Sequence, residues 1–250
     1  MPVIFVTGAT SGFGAATARL FAQNGWQVVA TGRRRERLEA LQAEFPAGRI
    51  HIAEMDLTDR DSIVAAVAGL PQAFKPVMCL FNNGGLALGN KAIPNVDLAD
   101  WQRMIDTNIS GLIHTTLELL PSLKAAGRGA SIINTGSVAQ RWAYEGGNVY
   151  GGTKAFVHQF SQNLRADLAG SDIRVTVLEP GMAKTEFTLV RTHGDAAANE
   201  KMYENVEPIR PEDIADIVWY LANTPPHINI GILEVTPVAQ VPQAARIVRK

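Results

Sequence analysis

Tyr150-Gly151-Gly152-Thr153-Lys154 sets a phenol and an ammonium four residues apart, which on a helix puts them on one face, one turn apart. A phenol ordinarily titrates at about 10 and is a poor base at neutral pH. A neighbouring cation favours its anion and lowers that value. The pair can therefore give a proton to an alkoxide or take one from a hydroxyl. Ser137 follows the apolar run Ser131-Ile132-Ile133-Asn134-Thr135 and adds a hydroxyl that can hold the reacting oxygen. Each of these residues alone is more often structural than catalytic; together they point to chemistry at a carbonyl or an alcohol.

A second cluster would hold a nucleotide. Thr7-Gly8-Ala9-Thr10-Ser11-Gly12-Phe13-Gly14 directly follows the first apolar run. Glycines there let the backbone turn sharply and approach a pyrophosphate, and the free amides and dipole of the following helix attract its charge. The spacing is G-x-x-x-G-x-G rather than G-x-G-x-x-G, so the signal comes from its place between first strand and first helix. At the end of the second strand, Ala30-Thr31-Gly32-Arg33-Arg34-Arg35 offers no carboxylate for a ribose 2′-hydroxyl. The guanidinium groups of Arg33 and Arg34 suit a 2′-phosphate instead. The expected cofactor is NADP, a hydride carrier matching the proton carrier at Tyr150. Arg35 and Arg37 read as a solvated helix start.

These residues need a scaffold. Apolar runs at 3–6, 27–31, 50–55, 77–81, 130–135, 173–178 and 231–235 read as strands, most of them continuously apolar, as in a sheet covered on both faces. Segments 13–24, 34–44, 60–69, 98–123, 149–169 and 211–223 carry helical period, the last opened by Pro211 with Glu212 and Asp213. The alternation predicts an α/β fold with a parallel seven-stranded sheet and helices on both faces. No composition shift divides the chain, so a single domain is expected over 1–250. The stretch 183–208 lacks a clear apolar period and is expected to be a substrate lid, with His193 a loop residue; 238–250 reads as a tail.

The 250 residues are 46% hydrophobic, with 23 Lys+Arg against 24 Asp+Glu. That composition excludes a disordered chain and gives no electrostatic case for nucleic acid or an anionic membrane as partner. The lone Cys79 cannot form an internal disulfide, and no Cys/His cluster has metal-ligand spacing. The chain starts without a basic flank or a long apolar segment. The expectations are no metal, a cytoplasmic location and a small-molecule partner.

With the glycine motif at Thr7 to Gly14 and the Tyr-x-x-x-Lys at Tyr150 and Lys154, the chain resembles the short-chain dehydrogenase/reductase family over almost its whole length. The resemblance implies a Rossmann-type doubly wound sheet, with Ser137 as the catalytic serine and Lys154 on the nicotinamide ribose. It places Asn108, in Asp106-Thr107-Asn108-Ile109-Ser110-Gly111, beside a proton-relay water, where the residues alone suggest a polar kink inside a helix. It also implies Asp56 and Leu57 at the adenine, Asn83 among Asn82-Asn83-Gly84-Gly85 at the cofactor ribose, and Pro180 and Gly181 through Thr185 at the nicotinamide. Gly84 departs from the family's alanine, and a looser turn is expected there. Assembly through helices 98–123 and 149–169 is implied, giving a homo-oligomer, a tetramer, with the tail reaching a neighbour.

Within the family, Ala30 to Arg34, Gly85 to Gly89, Gly146 to Gly151 and Thr185-Glu186-Phe187 resemble the NADP-dependent 3-hydroxy acid dehydrogenases. That implies reversible oxidation of L-serine, L-allo-threonine, 3-hydroxypropionate or 3-hydroxyisobutyrate. A buried substrate carboxylate needs a cation. Arg191 in the lid is preferred, and Arg141, between Ser137 and Tyr150, is the other candidate. The alternatives are an NADPH-dependent reductase of another small aldehyde or ketone, such as sulfoacetaldehyde or malonic semialdehyde, and a regulator that binds NADP without turnover. The full set of Asn108, Ser137, Tyr150 and Lys154 argues against the regulator. A hydrolase acting through Ser137 would lack the Gly-x-Ser-x-Gly elbow.

Overall fold

β1 (Val3–Val6) is four apolar residues in a row, all buried. Val3 and Phe5 enter one core layer and Ile4 and Val6 the other, so an unbroken apolar run is what a strand covered on both faces requires. The computed structural model describes residues 1–192, 194–195 and 202–241. Beyond β1 the chain forms α1 (Gly12–Gln23), β2 (Gln27–Gly32), α2 (Arg35–Ala43), β3 (Ile50–Glu54), α3 (Arg60–Ala68), β4 (Cys79–Asn82) and α4 (Leu98–Ile105). A π-turn (Asp106–Ser110) leads into α5 (Gly111–Ala126), then β5 (Ser131–Thr135), α6 (Asn148–Asp167), β6 (Arg174–Pro180), α7 (Glu186–Arg191), α8 (Pro211–Ala222) and β7 (Ile232–Val235).

The seven strands form one parallel sheet of order β3-β2-β1-β4-β5-β6-β7. The strand order reverses between β1 and β4, which opens a crevice at the carboxyl edge of the sheet. Phe21, Leu38, Val218 and Leu221 from α1, α2 and α8 fill one layer. Ile63, Leu119, Leu123 and Leu164 from α3, α5 and α6 fill the other. The α/β, doubly wound reading of the sequence holds, with strand ends shifted by one or two residues.

The helix expected over 98–123 is present, running unbroken from α4 through the π-turn into α5. The stretch 183–208 contains the six-residue α7. His193 and most of the tail (242–250) lie outside the described residues. Among the described residues, no helix is long and apolar enough to cross a membrane.

Under the crevice runs a buried polar chain. Asn82 Nδ2 donates to Thr116 Oγ1 and to Asn134 Oδ1, each at 2.9 Å, and Asn134 Nδ2 donates to Ser161 Oγ at 2.9 Å. These bonds tie the ends of β4 and β5 to α5 and α6, so the loops leaving those strands start from fixed points.

Candidate active site

The turn after β1 is built by glycine. Gly8 and Gly12 have φ of +68° and +51°, and any Cβ on Gly14 would run into the carbonyl of Gly8. α1 starts at Ser11, whose side chain makes no capping bond, leaving the first-turn amides to a ligand. Asn83 Nδ2 donates to the carbonyls of Thr7 (3.0 Å) and Gly8 (3.3 Å), while Thr7 Oγ1 accepts from the amides of Asn83 (2.9 Å) and Gly84 (2.8 Å). Gly84 is therefore held, not loose: a Cβ there would come 2.5 Å from Leu57 Cδ1.

Arg34 reaches across the crevice mouth. It donates through Nη2 to Thr10 Oγ1 (2.8 Å) and Ser11 Oγ (2.9 Å), and through Nη1 to Glu186 (2.9 Å). Arg37 also donates to Glu186, at 2.7 Å, so it is tied to α7 rather than merely solvated. Arg33 is exposed, its nearest carboxylate being Asp56 at 4.0 Å. Asp56 Oδ1 accepts from the amide and the hydroxyl of Thr58, both at 2.9 Å. Two guanidinium groups beside two hydroxyls make a donor set that suits a phosphate dianion. From Arg33, Arg34, Asp56 and Leu57 a continuous cavity of about 1070 Å³ passes Gly85 and Thr135 to reach Ser137, Tyr150 and Arg191.

Ser137 leaves β5 with extended backbone (φ −171°) and caps a single 3-10 turn over Val138–Gln140, its Oγ accepting from Ala139 N at 3.1 Å. Tyr150 lies in the first turn of α6 and Lys154 one turn on, only 8% and 5% exposed. Burial pushes the Tyr150 phenol up to about 12, against a hydrogen bond from Ser137 and the positive charge of Arg191. Burial also pushes the Lys154 amine down to about 8. Lys154 Nζ donates to the carbonyl of Thr135 at 2.8 Å and stands 5.9 Å from the centre of the Tyr150 ring. Two cations therefore stand near the phenol, Lys154 over its ring with one N–H on the Thr135 carbonyl, and Arg191.

Asn108 sits in the π-turn, 2% exposed. Its Oδ1 accepts from Leu86 N (2.9 Å), and its Nδ2 donates to the Leu86 carbonyl (2.8 Å) and to Thr153 Oγ1 (3.0 Å). A Cβ on Gly85 would stand 3.1 Å from Asn108 Oδ1 and 3.5 Å from Lys154 Nζ, so both groups face one small space over that glycine. The structure thus gathers Ser137, Tyr150 and Lys154 on the cavity wall and sets Asn108 behind Gly85.

Arg191, at the end of α7, lies 5.3 Å over the Tyr144 ring and 5.7 Å over the Tyr150 ring. It donates to Tyr144 Oη at 3.1 Å and to the Gly89 carbonyl at 3.4 Å, both neutral acceptors. Arg141 points elsewhere: it pairs with the buried Glu179 at 2.9 Å and with Glu234 at 3.7 Å, and it does not line the cavity. Thr185 lines the cavity and caps α7, its Oγ1 accepting from Phe187 N at 3.1 Å. The turn at Pro180-Gly181 is held by Gly181 N on the Val235 carbonyl (2.7 Å) and by Met182 N on Gln240 Oε1 (2.7 Å).

Among the described cavity residues that sequence reading did not single out as site residues, Phe187, Tyr144, Tyr203 and Gln240 shape the site most directly. Phe187 packs against Tyr150 with ring centres 5.7 Å apart, and Tyr144 carries Arg191. Tyr203 ties α7 to the segment before it, through Thr188 Oγ1 (2.6 Å) and the Ala183 carbonyl (2.9 Å). Gln240 comes from the start of the tail. Tyr144 could have been noticed as an aromatic residue in the loop between Ser137 and Tyr150, and Phe187 lies in the segment Thr185-Glu186-Phe187 quoted above.

A family model described as short chain dehydrogenase matches residues 2–195. A sulfoacetaldehyde reductase of Chromohalobacter salexigens is 53% identical over 239 residues, covering 95% of this chain and 94% of that protein. A serine 3-dehydrogenase of Rhizobium radiobacter is 53% identical over 237 residues, with the same coverage. Among solved structures, the closed form of a serine dehydrogenase complexed with NADP+ superposes with a TM-score of 0.93 at 45% identity, over 99% of each chain.

Proposed function

The chain belongs to the short-chain dehydrogenase family, and from that membership we propose that it is an NADP-dependent oxidoreductase interconverting small anionic 3-hydroxy acids and the corresponding aldehydes. The observation that carries the substrate class is Arg191: a guanidinium at the cavity wall, stacked over the Tyr150 ring and bonded to neutral oxygens. It stands where the tail of a substrate whose reacting oxygen meets Ser137 and Tyr150 would lie. The relatives named for serine and for sulfoacetaldehyde support a short substrate with an acidic tail.

NADP, when bound, accepts or supplies the hydride. The Gly8 to Gly14 loop and the free amides of α1 would hold its pyrophosphate, and Arg33 and Arg34, with the Thr10 and Ser11 hydroxyls, its 2′-phosphate. Asp56 and Leu57 line the cavity towards the adenine end, Asn83 fixes the loop, and Pro180 to Thr185 border the nicotinamide end. Ser137 holds the substrate oxygen and Tyr150 exchanges the proton. Lys154 and Asn108, facing the same space over Gly85, continue the proton path. The family resemblance supports assembly through the α5 and α6 faces as a homotetramer.

Arg191→Ala is expected to lower kcat/KM about 10- to 100-fold for 3-hydroxypropionate, L-serine and sulfoacetaldehyde, matching the ~1.5–3 kcal/mol of a charged hydrogen bond. A neutral aldehyde of the same size should lose clearly less, because only the field of Arg191 on the Tyr150 phenol is then removed and no bond to a substrate charge. Equal losses on both would remove Arg191 from the tail site. For the cofactor, Arg34→Ala should raise the dissociation constant of NADPH by about tenfold or more and leave NADH almost unchanged, read by nicotinamide fluorescence. A parallel weakening of both would place Arg34 outside the phosphate site.

A further inference from the structure

Glu179, next to last in β6, has no exposed surface, and its carboxylate joins two other segments of the active site to its own strand. Oε2 lies 2.9 Å from Arg141 Nη2, and Oε1 lies 2.8 Å from His158 Nδ1. Gln140 Nε2 approaches that same ring nitrogen at 3.0 Å. Below Gly136, a Cβ would stand 3.1 Å from Gln140 Oε1 and 3.3 Å from Glu179 Cγ, so the carboxylate stem packs under the start of the serine loop. One further charge faces the cluster, Glu234 of β7, 3.7 Å from Arg141 Nη1.

The three arms lead to three reacting parts. Arg141 directly follows the 3-10 turn that Ser137 caps. His158 is one helical turn beyond Lys154 on the face of α6 that carries Tyr150 and Lys154. The main chain of Glu179 continues into the Pro180-Gly181 turn at the nicotinamide end of the cavity. An interior carboxylate is costly unless paired and hydrogen-bonded, and its removal strands the partner charges. A displacement of about 1 Å in an active site can cost ~100-fold in rate. We propose that Glu179, clamped by Arg141 and His158, is a positioning residue that holds Ser137 in register with Tyr150 and with the Pro180-Gly181 turn. The proposal rests on the reading of Ser137 and Tyr150 given above.

Arg141 is the place to test it, because its side chain is 41% exposed and its loss leaves Glu179 paired with His158. Arg141→Met should lower kcat at least tenfold on the aldehyde the wild type reduces fastest, with the NADPH dissociation constant within twofold. Arg141→Lys, which restores a cation to Glu179, should recover most of that loss. In the same variant, amide exchange at Ala139 to Arg141 should quicken about tenfold while β1 and β2 stay protected. A kcat within twofold of wild type in Arg141→Met overturns the proposal, as does an equal loss in the lysine variant. Absence of wild-type turnover on every aldehyde would instead refute the functional reading; the exchange measurement, which needs no turnover, then decides the positioning role, unchanged exchange overturning it.

Discussion

Tyr150→Phe is expected to lower kcat by about a thousandfold, within the ~100- to 10,000-fold that a positioned proton donor contributes, and to leave NADPH binding within about twofold. The ring stays, so its packing against Phe187 and beneath Arg191 is kept; only the hydroxyl bonded to Ser137 is lost. Stopped-flow absorbance at 340 nm separates the two quantities, since cofactor binding is read before turnover. A variant retaining more than about a tenth of the wild-type kcat would show that the proton comes from elsewhere, leaving Tyr150 a cavity-lining residue. The phenol's raised value of about 12 fits a proton donor in the reducing direction, because at neutral pH the group holds its proton until an alkoxide forms beside it.

Lys154→Met should abolish most turnover, at least about 100-fold, and yet make the protein harder to unfold. The amine titrates at about 8 in the fold against an ordinary 10.5, because it is buried. Below pH 8 it is protonated in both folded and unfolded chains, and the folded state carries the full cost of burying the charge. Between pH 8 and 10.5 the unfolded chain binds a proton that the folded one does not, so wild-type stability rises with pH across that window and then levels off. Linkage sets the burial cost at about 3 kcal/mol, and the lost bond to Thr135 offsets about 1 kcal/mol of any gain. The methionine variant should melt about 4–8 °C higher at pH 7, and the advantage should shrink towards pH 10. Scanning calorimetry at the two pH values checks it; a lower melting temperature at pH 7 would mean that Lys154 is a net structural asset.

The strands were legible because burial on both faces leaves a continuous apolar signature, as in Val3–Val6. The glycine loop was legible because φ values such as those of Gly8 and Gly12 restrict the choice of residue. Tyr150 and Lys154 were legible from helical spacing alone. What spacing could not carry was direction. Lys154 stands over the Tyr150 ring, as its spacing implies, but its bond to the Thr135 carbonyl could not be read from spacing. Arg191 was preferred to Arg141 as the cation for a substrate carboxylate, and only the fold shows Arg141 bound to an interior carboxylate and Arg191 stacked over Tyr150. The π-turn was hidden because the apolar period continues across it, although Asp106-Thr107-Asn108-Ile109-Ser110 are weak helix formers and Asn108 marked the place. Tyr203 and Gln240 come from segments whose path depends on tertiary packing.

Gln240 joins the Met182 amide across 58 positions of chain, on the turn that borders the reacting end of the cavity. On the ribosome, strands β1 to β6 and the helices between them can come together while this acceptor has yet to emerge. The Met182 amide at the Pro180-Gly181 corner gains this hydrogen bond only once residue 240 has been synthesised. A polypeptide cut short before that point carries all seven strands and lacks the acceptor that finishes the corner.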